Sequence, residues 1–387
     1  MRTELVNGRV LTAAGLRDDV SVVIEDGRII AFGPRGKTGR GDIHDLEGQT
    51  LVPGFIDTQV NGGGGVLFND NPSPATIAQI GRAHRRFGTT GFLPTLLSDD
   101  LEIIDRAIDA VDTAIAQGVP GVLGIHIEGP FLNARRKGIH DVSKFRVLED
   151  EGIERLTRLR SGRTLITLAP EMTSPEMIER LVAAGAIVSA GHTDADYATT
   201  RAALSAGVTG FTHLFNAMSG MQNRAPGVVG AALEDRDAFC GLIVDGHHVD
   251  PVMLKLALRC RPVDRFMLVS DAMPSVGSGQ DHFYLQGRRI TVKDGTCRDI
   301  DGVLAGSDLD MSAAVRNAIA LLDVDLASAS TMASAAPAAF LGMSAERGRI
   351  EIGQSADLVL LDARLSVVTT WIAGQRLDPS RVLATST

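Results

Sequence analysis

The chain has 387 residues, 44% hydrophobic and 22% charged, with 38 basic against 47 acidic side chains and a net charge of −9. That length suits one large domain with an appendage, and the composition supplies ample core for a globular protein. No basic run points to nucleic acid, and no apolar stretch is long enough to predict a membrane span.

Residues 1–50 read as short strands with tight turns. Leu5-Val6 and Arg9–Leu11 flank Asn7-Gly8, a hairpin signal, and Val20–Ile24 and Arg28–Ile30 flank Glu25-Asp26-Gly27 in the same way. At the other end, Asp357–Leu361 and Val367–Ile372 are apolar or alternate, with a turn at Ala373-Gly374. Chain termini often lie close together, so residues 1–50 and 345–387 are expected to form one small β-sandwich domain. The first residues, MRTELVNGRVLT, lack a charged start followed by an apolar block, so no signal peptide is expected. Cys240, Cys260 and Cys297 are odd in number and show no CxxC spacing, which argues against a disulfide framework or a cysteine-ligated zinc. A cytoplasmic setting is the expectation.

Residues 51–344 differ. Short apolar runs alternate with helical patterns: Leu51–Ile56, Gly91–Thr95, Val122–Ile127, Thr164–Leu168, Ile187–Ala190, Gly210–Thr212, Gly241–Val244 and Phe266–Val269. Segments such as Pro74–Phe87, Leu101–Gln117, Pro175–Ala184 and Ala195–Ala206 lie between them with helical spacing. Eight such βα units predict a (β/α)8 TIM barrel.

A polar residue stands at or just past each run: Asn61, Thr95, Glu128, Glu171, His192, His213, Asp245 and Asp271. Chemistry in such barrels sits at the C-terminal ends of the strands. Two neutral imidazoles, His192 and His213, with the carboxylate of Glu128, fit a catalytic metal shell whose fourth position is left to water. A lone histidine would read as a hydrogen-bonded core residue; the grouping favours the metal. Asp271 reads as a general base and acid, with a turn cap as its plainer account. His140, in the long loop after the third strand, is placed to polarise a carbonyl, although alone it would read as solvated surface. His126 precedes Glu128 by two residues, so both point into the barrel; it is either a partner of the ligands or interior packing. Asn216 and the forked Arg224, in HLFNAM…NRAPG, suit a phosphate, as does one histidine of Asp245-Gly246-His247-His248. The Gly62–Gly65 run has no strand–helix GxGxxG context and reads as close backbone approach rather than a nucleotide loop.

The motifs PGFIDTQVNGGGG, HIEGPFLNARRKGIH, LAPE, AGHTDA, THLFNAM, RAPG, DGHHV, SDAM and LAGSDLDM follow in order from Pro53 to Met311. Together they resemble the N-acetylglucosamine-6-phosphate deacetylases of the amidohydrolase superfamily. The resemblance implies Glu128, His192 and His213 as metal ligands, Asp271 as the acid–base residue and His140 as the group facing the acetyl carbonyl. It implies Asn216, Ala217, Arg224 and His248 as substrate contacts, with Arg224 reaching the phosphate from the neighbouring subunit of a homodimer.

The superfamily often carries His-x-His at the end of the first strand, where this chain has Gln59 and Asn61. Members resembling this chain there use one tightly held metal. Strand four ends Leu168-Ala169-Pro170-Glu171, without the lysine that bridges two metals in binuclear relatives. One divalent ion per subunit is therefore expected, zinc first, with iron, cobalt, manganese or nickel as alternatives. The implied reaction is hydrolysis of N-acetyl-D-glucosamine 6-phosphate to acetate and the amino-sugar phosphate. A galactosamine derivative is an alternative substrate. A cyclic amide is another, although the missing His-x-His and lysine count against it. A metal-free scaffold is disfavoured by the intact Glu128, His192, His213 and Asp271.

Overall fold

A computed structural model describes residues 2–34 and 41–377. Eight parallel strands form one sheet in sequential order: β1 (Phe55–Val60), β2 (Thr89–Leu97), β3 (Gly124–Glu128), β4 (Arg163–Leu168), β5 (Ile187–Ala190), β6 (Val208–Phe211), β7 (Phe239–Leu242) and β8 (Phe266–Leu268). A parallel bridge between Val60 and Ala272 brings the end of β1 to the chain just past β8, so the sheet closes into a (β/α)8 barrel. Helices cover it in the way their sequences dictate. Pro74–Arg85 starts on Ser73, whose hydroxyl accepts from the Thr76 N–H, and buries Ile77, Ile80 and Ala83 at helical spacing. Pro175–Ala183 and Pro251–Cys260 begin on Ser174 and Asp250 with the same chemistry.

The run Leu51–Ile56 is not one strand. Thr50–Pro53 belongs to a flanking sheet and β1 begins only at Phe55. Gly54 makes the change of partner: a Cβ there would lie 2.0 Å from Thr90 Oγ1, so only glycine passes. The Asn7-Gly8 hairpin is also not formed. Arg2–Val6 pairs with Val20–Glu25 and Asp42–Asp45 in a four-stranded sheet. Arg9–Thr12 pairs with Gly15–Arg17 and Thr50–Pro53 in a six-stranded sheet that also holds Leu358–Leu361 and Val367–Ile372. Asn7, at φ +58°, turns the chain from one sheet to the other. Val20–Glu25 and Arg28–Pro34 do form the predicted hairpin. Leu5, Val22, Ile24 and Ile29 of the first sheet pack on Val10, Leu51, Leu358 and Trp371 of the second. Successive side chains of a strand point to opposite faces, so each sheet gives alternate residues, such as Val22 and Ile24 or Leu358 and Leu360, to this core.

Within the barrel the layers change character along the axis. Ile56, Leu93, Leu123, Leu165 and Met267 pack with Phe340 in one apolar cluster. A polar belt also spans the interior. His126 Nδ1 lies 3.1 Å from Thr95 Oγ1 and its Nε2 2.8 Å from Thr167 Oγ1; Thr167 and Thr212 hydroxyls are 2.6 Å apart, and Thr212 donates to Ser189 at 2.8 Å. Burial pushes the His126 imidazole down to about 4, so this belt is neutral. A further four-stranded antiparallel sheet, His282–Leu285, Arg288–Lys293, Thr296–Arg298 and Leu304–Ser307, follows β8 and had no counterpart in the sequence reading.

Candidate active site

A cavity of about 310 Å³ opens at the C-terminal ends of the strands. Asn61, Glu128, His140, His192, His213, Asn216, Ala217, His248 and Asp271 line it. Thr95, Glu171 and Asp245, the other strand-end residues, do not. Thr95 lies in the belt; Asp245 accepts from His248 Nδ1 at 2.6 Å and from the His247 and His248 N–H groups, which fixes the His248 ring. Arg224 is exposed in its loop and lies outside the cavity lining.

His192, His213 and Asp271 all have positive φ, at +49°, +35° and +52°. For residues with a Cβ this conformation costs on the order of 1–3 kcal/mol each and persists only where surrounding structure holds it. All three side chains line the same cavity. Glu128 Oε1, His192 Nε2 and His213 Nε2 form a triangle with all three edges 3.1 Å. Both histidines and Glu128 are buried.

The donor set of that triangle fits a cation. The Arg136 carbonyl lies 2.8 Å from His192 Nδ1 and can only accept, so Nδ1 carries the proton and Nε2 a lone pair. That lone pair faces a carboxylate oxygen and a second imidazole nitrogen at contact distance. One proton relieves one edge of the triangle; a central positive charge relieves all three. Ligand bonds of about 2.0–2.2 Å in a tetrahedral shell put ligand atoms roughly 3.3–3.5 Å apart, close to what is seen. Burial opposes the Glu128 charge, but positive charge on the His192 and His213 side of the triangle outweighs it and holds the carboxyl well below its usual range, while Glu128 in turn holds His213 up against its own burial, so the site favours a cationic centre. Glu128, His140 and His192 also offer ligand atoms within 4.8 Å of one another. His140 suits a different task, because Ser98 N–H donates to its Nδ1 at 3.3 Å and the Ser98 hydroxyl is 2.8 Å away. The neutral ring then carries its proton on Nε2, as a donor rather than a ligand. Burial pushes His140 down to about 3, so it is neutral near pH 7.

Gln59 and Asn61 take the place of the His-x-His pair as hydrogen-bond donors. Gln59 Nε2 lies 3.3 and 3.2 Å from the two Glu128 oxygens and 3.1 Å from Asp271 Oδ1; Asn61 Nδ2 lies 2.7 Å from the same Oδ1. Carboxylates face these amides, so the NH₂ groups point at them. Burial, and then the nearby Glu128 charge, raise the Asp271 carboxyl to about 6.

The sequence reading missed Ser98, Arg135 and Arg136. The two arginines line the cavity from the 3-10 turn Ala134–Arg136, and Arg136 is paired with Asp194 at 2.8 Å. The basic pair between Glu128 and His140 was visible in HIEGPFLNARRKGIH; Ser98 carries no local signal.

A family model described as the amidohydrolase family matches residues 50–377. An N-acetylgalactosamine-6-phosphate deacetylase from a Shewanella species is 43% identical, with 95% of this chain and 94% of that protein covered. The crystal structure of N-acetylglucosamine-6-phosphate deacetylase from Pasteurella multocida superposes with a TM-score of 0.94 at 33% identity, covering 97% of this chain and all of the other. A mutant Mycobacterium smegmatis N-acetyl-D-glucosamine-6-phosphate deacetylase, solved in complex with N-acetyl-D-glucosamine-6-phosphate, matches with a TM-score of 0.89 at 32% identity over 97% of this chain and 98% of that one. On this match and these identities the chain belongs to the amidohydrolase family, in its branch of N-acetylated amino-sugar 6-phosphate deacetylases.

Proposed function

We propose that the protein hydrolyses the acetamide of an N-acetylated hexosamine 6-phosphate, releasing acetate and the free amino-sugar phosphate. The observation that carries this reading is the 3.1 Å triangle of Glu128, His192 and His213 beside Asp271. A divalent cation held by those three residues would supply Lewis acidity toward a carbonyl and lower the pKa of water. Zinc is the first expectation for a shell of two imidazoles and a carboxylate, with iron, cobalt, manganese and nickel as alternatives.

The other steps belong to the chain's own groups. Asn61 and Gln59 both meet Asp271 Oδ1, which leaves Oδ2 for the proton. Asp271 accepts a proton from the attacking water and returns it to the amine nitrogen as the amide bond breaks, since an unprotonated amine is too poor a leaving group. His140 Nε2–H donates to the carbonyl oxygen as negative charge develops there. Asn216, Ala217 and His248 line the sugar side of the cavity, and Arg224 of a partner subunit meets the phosphate in a homodimer. No helix among the described residues is long and apolar enough to cross a membrane; a cytoplasmic enzyme is proposed.

N-acetyl-D-glucosamine 6-phosphate is the substrate read from the motifs. The 43% identity to a galactosamine-series deacetylase favours the 4-epimer as a second reading. Acetate release from both epimers, each with and without the 6-phosphate, tests the proposal. Turnover of either phosphorylated sugar, and far weaker turnover of the unphosphorylated ones, is the expected result. Inactivity of metal-supplemented protein on both phosphorylated sugars would overturn it.

A further inference from the structure

Glu171 is the strand-end carboxylate that the chemistry above does not use. It follows β4 on the short 3-10 turn Pro170–Met172. Its Oε1 accepts from Asn133 Nδ2 at 2.8 Å and from the Asp194 N–H at 2.6 Å, and its Oε2 accepts from the Thr193 hydroxyl at 2.5 Å. These donors flank His192 from two sides. Thr193 and Asp194 follow it in the chain. Asn133 opens the turn whose Arg136 carbonyl meets His192 Nδ1 at 2.8 Å.

The two sides are joined again elsewhere. The Asn133 N–H donates to the His192 carbonyl at 3.0 Å, and the Arg136 guanidinium meets Asp194 at 2.8 Å. Gly138 packs on the ring, where a Cβ would lie 3.2 Å from His192 Cε1. His192 needs such support, because its backbone sits at φ +49°.

We propose that Glu171 is a positioning residue for the metal centre. By tying the Asn133–Arg136 turn to Thr193-Asp194, it fixes both the backbone of His192 and the carbonyl that sets its tautomer, so that Nε2 presents a lone pair to the cation. The proposal rests on the metal reading given above. Groups that orient a ligating histidine through its other nitrogen are worth roughly 10- to 100-fold in metal affinity.

The test measures zinc affinity by chelator competition, and cobalt binding by its visible absorption, in wild type, E171A and E171Q. Glu171→Ala should bind either metal roughly 10- to 100-fold more weakly. Glu171→Gln keeps an acceptor for Asn133 and Asp194 but turns an amide toward the Thr193 hydroxyl, so its loss should be smaller. If E171A does not fold, E171Q against wild type decides, with weaker binding expected. Metal affinity equal to wild type, even with a lowered melting temperature of the metal-free protein, overturns the proposal. Wild type that binds neither metal refutes the metal reading itself, a separate outcome.

Discussion

Asn61 Nδ2 donates to Asp271 Oδ1 at 2.7 Å, from a position where binuclear relatives would place a metal-binding histidine. The contact orients the carboxylate and leaves its other oxygen free of both amides for the proposed proton transfer. Asn61→Ala should lower kcat by roughly 10- to 100-fold, the range expected for one hydrogen bond to a charged group. KM and metal content should change little. A kcat within twofold of wild type would remove Asn61 from this role.

Asp271→Asn keeps the shape but cannot take a proton. Turnover should fall by roughly 10² to 10⁴ with metal content near normal, the usual worth of general acid–base catalysis. Activity retained within a few-fold would place the base elsewhere.

Asp57 gives a stability prediction. It is fully buried, accepts from the Ser270 hydroxyl and from the Ser270 and Gln59 N–H groups at 3.2 Å each, and burial raises its carboxyl from 3.8 to about 7. Below the unfolded pKa the group is neutral in both states and its stabilising contribution is fully present. As pH rises toward 7 the unfolded chain ionises more readily than the folded one, and that contribution is lost. Over pH 4 to 7 it amounts to something on the order of 4 kcal/mol. Asp57→Asn should therefore flatten the fall in stability across that window, as read by urea unfolding at several pH values. Parallel curves for the two proteins would contradict it.

The proposed sharing of the site between subunits can be tested by mixing. Arg224→Ala should weaken phosphorylated substrate through loss of a bidentate charge contact, and Asp271→Asn should silence its own barrel. In a mixed dimer one barrel keeps Asp271 and receives an intact Arg224. With half of the two-fold dimers mixed, activity should return to about a quarter of wild type. No recovery, with mixed dimers seen by mass spectrometry, would assign Arg224 to its own barrel or to no phosphate.

The barrel was legible because each strand is a short apolar run and several helices, among them Pro74–Arg85, Pro175–Ala183 and Pro251–Cys260, carry their own caps, both local properties. The gathering of Glu128, His192, His213 and Asp271 in one cavity was legible for the same reason, since each stands at or just past the end of a readable strand. Partner choice between sheets was not. Asn7-Gly8 looks like a hairpin turn, yet Val6 and Arg9 go to different sheets, a choice made by strands tens of residues away. The strands at residues 282–307 did carry local signals: Gln286-Gly287 and Asp294-Gly295 are two-residue turns with positive φ at all four residues. Ser98 was invisible because its role, setting the tautomer of His140, exists only once residues 42 positions apart meet.

The most direct measurement titrates chelator-treated protein with a divalent cation while following acetate release from the phosphorylated substrate. Gln59 and Asn61 stand as hydrogen-bond donors where a second pair of ligands would be, and the proposed site is the single triangle of Glu128, His192 and His213. Activity should be absent without metal and should saturate at about one equivalent per chain. Full activity of the metal-free protein, or saturation only at two equivalents, would contradict the account.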